Sequence, residues 1–295
     1  MSTARSSLWL AWLLLVTLPA LAAPARGQKA AATPCCLSAL QISAQPSVEL
    51  LVTGPNGLET GYDPATSQPL SEIPSSNYAT ISMENDSEGS AGDSATRQVE
   101  IGMPSAGLYR VEAIAHIPGR FTVTFKATDS KGTVSQRQFA GTAAGGGTTV
   151  YDVRYSPAAG AGIDVNELAS LSDLSAQVTA AAGPPPSFRV AGDFSLVAGS
   201  SGFDPQQDSV TIALSSYTAT IPRGSFTRES AGTYKFAGTI EGIPLRAEIA
   251  PQAGNRFHFT LDAQGIGLTA AINPLRLLLI AGQNAGSLLV NAVTQ

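Results

Sequence analysis

The chain has 295 residues, of which only 13% are charged: 17 Lys and Arg against 22 Asp and Glu, a net charge of −5. Cations this sparse, scattered along so long a chain, form no stripe that could neutralise a row of phosphates. Nucleic acid and anionic membrane surfaces are therefore not expected as partners.

The first element reads as an export signal. Arg5 supplies one positive charge, Leu8–Leu18 is an apolar run, Pro19 breaks it, and Ala20-Leu21-Ala22 forms an Ala-x-Ala exit before Ala23. The run is much shorter than the roughly 20 residues a membrane-crossing helix needs. The pattern predicts a secretory signal peptide over residues 1–22, with a second cut site after Gly27. A secreted, periplasmic or cell-surface location follows, with no transmembrane segment after signal removal.

Residues 23–47 read as a flexible leader rich in Ala, Gln, Ser and Pro, and they hold the adjacent cysteines Cys35 and Cys36. Neighbouring cysteines bridge each other only through a strained ring, and no third Cys exists. In an oxidising compartment they point to an intermolecular disulfide, giving a covalent dimer through Cys35 or Cys36, or to a strained local bridge.

From Val48 the texture changes to short alternating runs separated by Gly, Pro, Asn and Asp, the pattern of strands and turns. Val48–Thr53 meets the reversal Gly54-Pro55-Asn56-Gly57, and Tyr78–Ser82 is a short strand. The acidic stretch from Glu84 to Arg97 reads as a loop. Its Glu84, Asp86, Glu88 and Asp93 are the candidate ligands for calcium, which favours hard oxygens. Their spacing departs from the D-x-[DN]-x-[DN]-G loop, so a merely solvated acidic loop stands as the alternative. Asn85-Asp86-Ser87 is a formal glycosylation sequon. In Leu108–Ile117 the apolar Tyr109, Val111, Ala113, Ala115 and Ile117 alternate with Arg110, Glu112 and His116, predicting a strand with one wet face. Pro118-Gly119 turns the chain into Phe121, Val123 and Phe125, and Asp129-Ser130-Lys131-Gly132 turns it again. Residues 48–157 thus read as an antiparallel β-sandwich module.

Residues 158–187 read as a linker ending in the stiff Pro184-Pro185-Pro186. Asp164 with Glu167 suggests a capping box, and Leu168, Leu171, Leu174 and Val178 suggest one short helix. Residues 188–295 read as a second β module. Phe188, Val190, Phe194 and Leu196 share one parity, Glu241-Gly242 is a two-residue hairpin loop, and Phe257, Phe259 and Leu261 face inward. The strands near Leu268–Ile280 and Ser287–Val293 are apolar enough for both faces to be covered, and Asn273-Pro274 marks a bulge or an edge. The fold class is all-β: two antiparallel β-sandwich or barrel-like modules joined by a Pro-rich linker.

Leu51-Val52-Thr53-Gly54-Pro55, Thr60-Gly61-Tyr62-Asp63-Pro64, the Ala106-Gly107-Leu108-Tyr109 hairpin and its partner Gly119-Arg120-Phe121 resemble bacterial secreted β-sandwich modules of the pre-peptidase C-terminal and Ig-like type. Gly202-Phe203-Asp204-Pro205, Ile221-Pro222-Arg223-Gly224-Ser225-Phe226 and Gly232-Thr233-Tyr234-Lys235-Phe236 resemble a recurrent C-terminal β module of secreted bacterial proteins. The resemblance implies an accessory or adhesive role and transfers no catalytic residue. It departs from the usual context in that no enzyme domain accompanies it.

The residues themselves point the same way. His116 and His258 fall at outward positions of strands in different modules, and neither a Gly-x-Ser-x-Gly elbow nor a His-Glu-x-x-His motif occurs. Ser130-Lys131 sits in a solvated turn, where lysine keeps its proton. Trp9 and Trp12 both lie in the signal, leaving no Trp to stack on a sugar. The expectation is a non-catalytic adhesion, scaffold or ligand-presenting protein, with no catalytic residue and no cofactor beyond the candidate calcium, serving an unknown protein or surface partner. The alternative is a carrier whose C-terminal module closes around a small apolar ligand, lined by Phe194, Tyr234, Phe236, Phe257, Phe259 and Leu277.

Overall fold

The computed structural model describes residues 38–81, 95–143, 145–215, 217–268 and 273–295, and every regular element among them is a β-strand. The first eleven are β1 (Ala39–Ala44), β2 (Val48–Thr53), β3 (Glu59–Asp63), β4 (Gln68–Ser71), β5 (Ser76–Ile81), β6 (Thr96–Gly102), β7 (Gly107–Ala115), β8 (Gly119–Thr128), β9 (Val134–Ala143), β10 (Thr148–Tyr155) and β11 (Ile163–Glu167). They form a five-stranded sheet in the order β5-β6-β1-β8-β9 and a six-stranded sheet in the order β11-β10-β7-β2-β3-β4.

Alternation explains how the two sheets close on each other. Leu40 and Ile42 of β1, Val99 and Ile101 of β6, and Phe121, Val123 and Phe125 of β8 meet Leu50, Val52, Tyr109, Val111 and Tyr151 in one buried cluster. Phe125, Phe139 and Tyr151 sit ring against ring at 5.2–5.9 Å. Such aromatic packing adds about 0.5–1.5 kcal/mol per pair beyond burial.

Two sequence expectations fail here. Residues 39–44, placed in a flexible leader, are a central strand of the five-stranded sheet, because Leu40, Ile42 and Ala44 alternate with Gln41 and Ser43. The stretch expected to stay a loop as far as Arg97 becomes strand β6 at Thr96, with Val99 and Ile101 turned inward.

The remaining strands are β12 (Ala169–Ala181), β13 (Ser187–Leu196), β14 (Val210–Leu214), β15 (Tyr217–Ile221), β16 (Thr227–Arg228), β17 (Tyr234–Ile240), β18 (Ile243–Pro251), β19 (Arg256–Gln264), β20 (Leu275–Ala281), β21 (Asn284–Val290) and β22 (Ala292–Thr294). They make one sheet in the order β15-β14-β20-β21-β12-β13-β19-β18-β17-β16, with β22 beside β12. Val210 and Ile212 near one end share a buried cluster with Leu245 and Ile249 near the other, so the sheet curls around its own core. The Glu241-Gly242 loop is the expected hairpin: Ile240 pairs Ile243, and both loop residues have positive φ, 49° and 84°.

The segment expected to be a linker with a short helix is neither. Residues 163–167 pair with β10 in the first module, and residues 169–181 lie between β21 and β13 in the second. The capping-box spacing of Asp164 and Glu167 is overridden because Ile163 and Val165, on one strand face, pack on the sandwich core. Only Leu168, 2% exposed, separates the two strands. Pro184-Pro185-Pro186 caps the β12–β13 hairpin within the second module, not the junction between modules.

Candidate functional site

The outer face of the six-stranded sheet carries two cross-strand rows. Glu59, Thr53, Arg110 and Asp152 stand side by side in one, and Gly61, Leu51, Glu112 and Val150 in the next. Residues directly opposite on a sheet face interact, and opposite charges there are favourable. Arg110 Nε donates to Asp152 Oδ1 at 3.3 Å, and the Thr53 hydroxyl donates to Glu59 Oε1 at 3.1 Å. Gly61 has a φ of +132°, and a Cβ there would fall 2.1 Å from the Leu50 carbonyl oxygen, so only glycine lets β3 approach β2 this closely.

Strand β20 covers this face. All seven of its residues are buried. Leu275, Leu277, Leu279 and Ala281 point into the second core, while Leu278 and Ile280 join Val150, Leu168, Ala213 and Ala285 in a separate apolar cluster between the modules. The expectation that both faces are covered therefore holds for Leu275–Ile280, where the first module covers the second face, but not for Ser287–Val293, where Leu289 and Val293 are exposed. Asn273-Pro274 stands immediately ahead of the described strand, and residues 269–272 before it lie outside the described residues.

The one polar residue of β20 is Arg276, 5% exposed. Its Nη1 donates to Glu112 Oε1 and its Nη2 to Glu59 Oε1, joining the modules through a buried ion triad. Burial works against the charge on Arg276, but the Glu112 and Glu59 carboxylates overcome it and hold the guanidinium above its ordinary pKa. Burial pushes the Glu59 carboxyl up, Arg276 pulls it down, and the Glu112 charge adds to the rise. Glu112, expected on the wet face of its strand, is 1% exposed, because the second module takes the place of water there. Its Oε2 has no hydrogen-bond partner among the described residues. A cleft of about 560 Å³ opens beside the triad, lined by Glu59 and Arg276 together with Asn56, Arg110, Thr218 and Glu241.

The two histidines occupy surface ion clusters. His116 Nε2 lies 2.9 Å from Glu49 Oε1, which also accepts from Arg97 Nε at 2.9 Å, and Tyr62 meets the imidazole edge-on. His258 Nδ1 lies 3.1 Å from Asp193 Oδ1, and Arg256 reaches the other oxygen at 3.2 Å. Burial would raise the Asp193 pKa, but the hydrogen bond from His258 and the charge of Arg256 lower it on balance. No hydroxyl or thiol hydrogen-bonds to either imidazole among the described residues.

Compared with known proteins, the chain matches no family model, no curated protein and no solved structure. Cys35, Cys36 and the calcium candidates Glu84, Asp86, Glu88 and Asp93 lie outside the described residues, as does the signal peptide. Among the described residues no cluster of three or more His, Cys, Asp or Glu is placed to hold a metal, and no helix is long and apolar enough to cross a membrane. Of the residues expected to line a carrier cavity, Phe194, Phe257, Phe259 and Leu277 are buried and Tyr234 and Phe236 half-buried; Phe194 and Phe257 stack at 5.1 Å, and the cavity that Phe194 and Phe259 line is about 10 Å³.

The junction is the feature that sequence reasoning missed. Its signal was a lone Arg in the run Leu275-Arg276-Leu277-Leu278-Leu279-Ile280. A charge in a strand covered on both faces needs a buried counter-charge, and Glu112 was available on a strand already identified.

Proposed function

We propose that the protein is a non-catalytic, exported scaffold or adhesion module that presents its surfaces in a fixed arrangement. One observation carries this reading: the two β cores are joined without a flexible linker. β11 runs into β12 through the buried Leu168, and the Arg276–Glu59–Glu112 triad and an apolar cluster clamp the facing sheets. A presenting protein gains from such a joint, since each freedom frozen in advance is not lost on binding. The carrier alternative draws little from a void of about 10 Å³, roughly the room of a single water.

The reading is tested in the native host. Fractionation and N-terminal sequencing are expected to recover an extracytoplasmic protein beginning at Ala23 or Gln28, and cross-linking on intact cells to join it to a surface component. Recovery of intact Met1–Leu18 in the soluble cytoplasmic fraction would overturn it.

A further inference from the structure

The sheet edges of this protein are unequal. Among the described residues the edge strands besides β9 are β4, with four residues including Pro69; β11, with five including Asp164 and Glu167; β15, with five; β5, with six; β22, with three; and β16, with two, beyond which Phe236–Ile240 of β17 are left unpaired on that side. Shortness, proline and charge are the usual means of blunting an edge. β9 has ten residues, no proline, and an unbroken register against β8 from Gly119↔Ala143 to Thr128↔Val134. Its other side has no strand partner among the described residues.

The hairpin that carries this edge is basic on an acidic protein. Between residues 119 and 143 stand Arg120, Lys126, Lys131 and Arg137, all exposed, and none makes an ion pair among the described residues. The only carboxylate in that span is Asp129, whose two oxygens accept the main-chain amides of Lys131, Thr133 and Gly160. Register places Lys126 beside Gln136 and Arg120 beside Thr142 on the outer face, while Arg137 stands opposite Phe125 at the rim of the core. The neighbouring acids Asp164 and Glu167 belong to β11, in the other sheet.

We propose that β9 accepts an extended acidic peptide segment as an added strand. Main-chain hydrogen bonds along the free edge supply the affinity, and the four cations select the sign of charge. A second copy is the poorer occupant, because pairing β9 with itself brings two basic hairpins together and sets Arg137 near its own counterpart. The proposal deepens the scaffold reading by giving the partner a chemistry, yet it does not depend on export. Failure of peptide binding would leave the location untouched, and cytoplasmic recovery would leave the peptide titration standing.

The test uses the full chain and two capped heptapeptides, one alternating Glu with Val and one alternating Lys with Val, followed by amide hydrogen exchange. The acidic peptide is expected to slow exchange along Val134–Thr142, to bind roughly ten-fold more tightly than the basic one, and to weaken as salt screens the cations. Exchanging Lys126→Glu and Arg137→Glu together leaves two cations against two carboxylates and is expected to abolish the preference while the melting temperature holds. Equal binding of the two peptides, no protection of β9 by either, or protection that grows with protein concentration alone would each overturn the proposal; the last would make a second copy the occupant.

Discussion

Asp129 shows how much of a turn one carboxylate can organise. Its Oδ1 accepts the amides of Lys131 and Thr133, both at 2.8 Å, and its Oδ2 accepts Gly160 at 2.7 Å, tying the β8–β9 turn to the loop between β10 and β11. These hydrogen bonds, first among them the one from Gly160, lower its pKa from 3.8 to about 2. A depressed carboxylate pKa stabilises the fold above the unfolded value and loses that contribution as pH falls through the folded one. Glu59 runs the other way: its raised pKa favours the fold in acid, an advantage that fades as pH climbs past the folded value. Asp129→Asn keeps an acceptor for two amides and turns an NH2 group toward Gly160. The variant is therefore expected to be less stable than the parent at neutral pH. The gap should close between pH 3.8 and about 2, as the parent's own carboxyl takes up its proton. Urea melts at stepped pH would read this, and a gap that stays constant down to pH 2 would refute it.

At the scale of the element, β20 is held by two kinds of force that respond differently to substitution. Removing Arg276 as Arg276→Ala leaves Glu112, 1% exposed, without its counter-charge, and the expected cost is about 3–5 kcal/mol. Replacing the whole triad by apolar or neutral groups of similar volume, as Arg276→Met with Glu112→Leu and Glu59→Gln, should recover most of that loss. Equilibrium unfolding of both variants separates a net-stabilising triad from one that merely fixes register. This strand also shows what the sequence can and cannot reveal. Its run of leucines made burial on both faces legible, as the alternation in β7, β8 and β19 made their core faces legible. The partner for Arg276 was not, because Glu112 lies 164 residues away and sits at a position whose local pattern reads as solvent-facing. β1 and β12 were missed for different reasons. In β1 the inward set, Leu40 with Ile42, is too sparse to stand out until the sheet supplies neighbours on both sides. In β12 a register shift between Ser172 and Ser175 leaves the inward Leu171, Leu174 and Val178 at a spacing that reads as helical. The hairpin turns were the most legible feature, since Gly54-Pro55-Asn56-Gly57 and Glu241-Gly242 carry their geometry locally.

For the molecule as a whole, the dividing line falls at Leu168 and not at the prolines. A fragment of residues 38–167 keeps all of β1–β11 and their core, and is expected to melt cooperatively by circular dichroism. A fragment of residues 188–295 lacks β12, the strand that stands between β21 and β13, and is expected not to fold. Starting instead at Ala169 restores that strand and should restore folding, with Leu278 and Ile280 now open to water and driving self-association. A stable 188–295 fragment would show that the curled sheet does not need β12.

The single-residue joint also bears on how such a chain can be inherited. Side chains alternate along a strand, so one residue inserted near Leu168 would exchange the inner and outer sets of β12 unless a bulge absorbed it, as the irregularity between Ser172 and Ser175 does within the strand. Modules separated by long spacers can be duplicated, lost or recombined with little effect on each other. Here the reading frame of faces passes directly from Glu167 to Ala169, so a break at this point leaves one partner without its cover. Length changes are therefore expected to be tolerated in the loops of either module and resisted where the two meet.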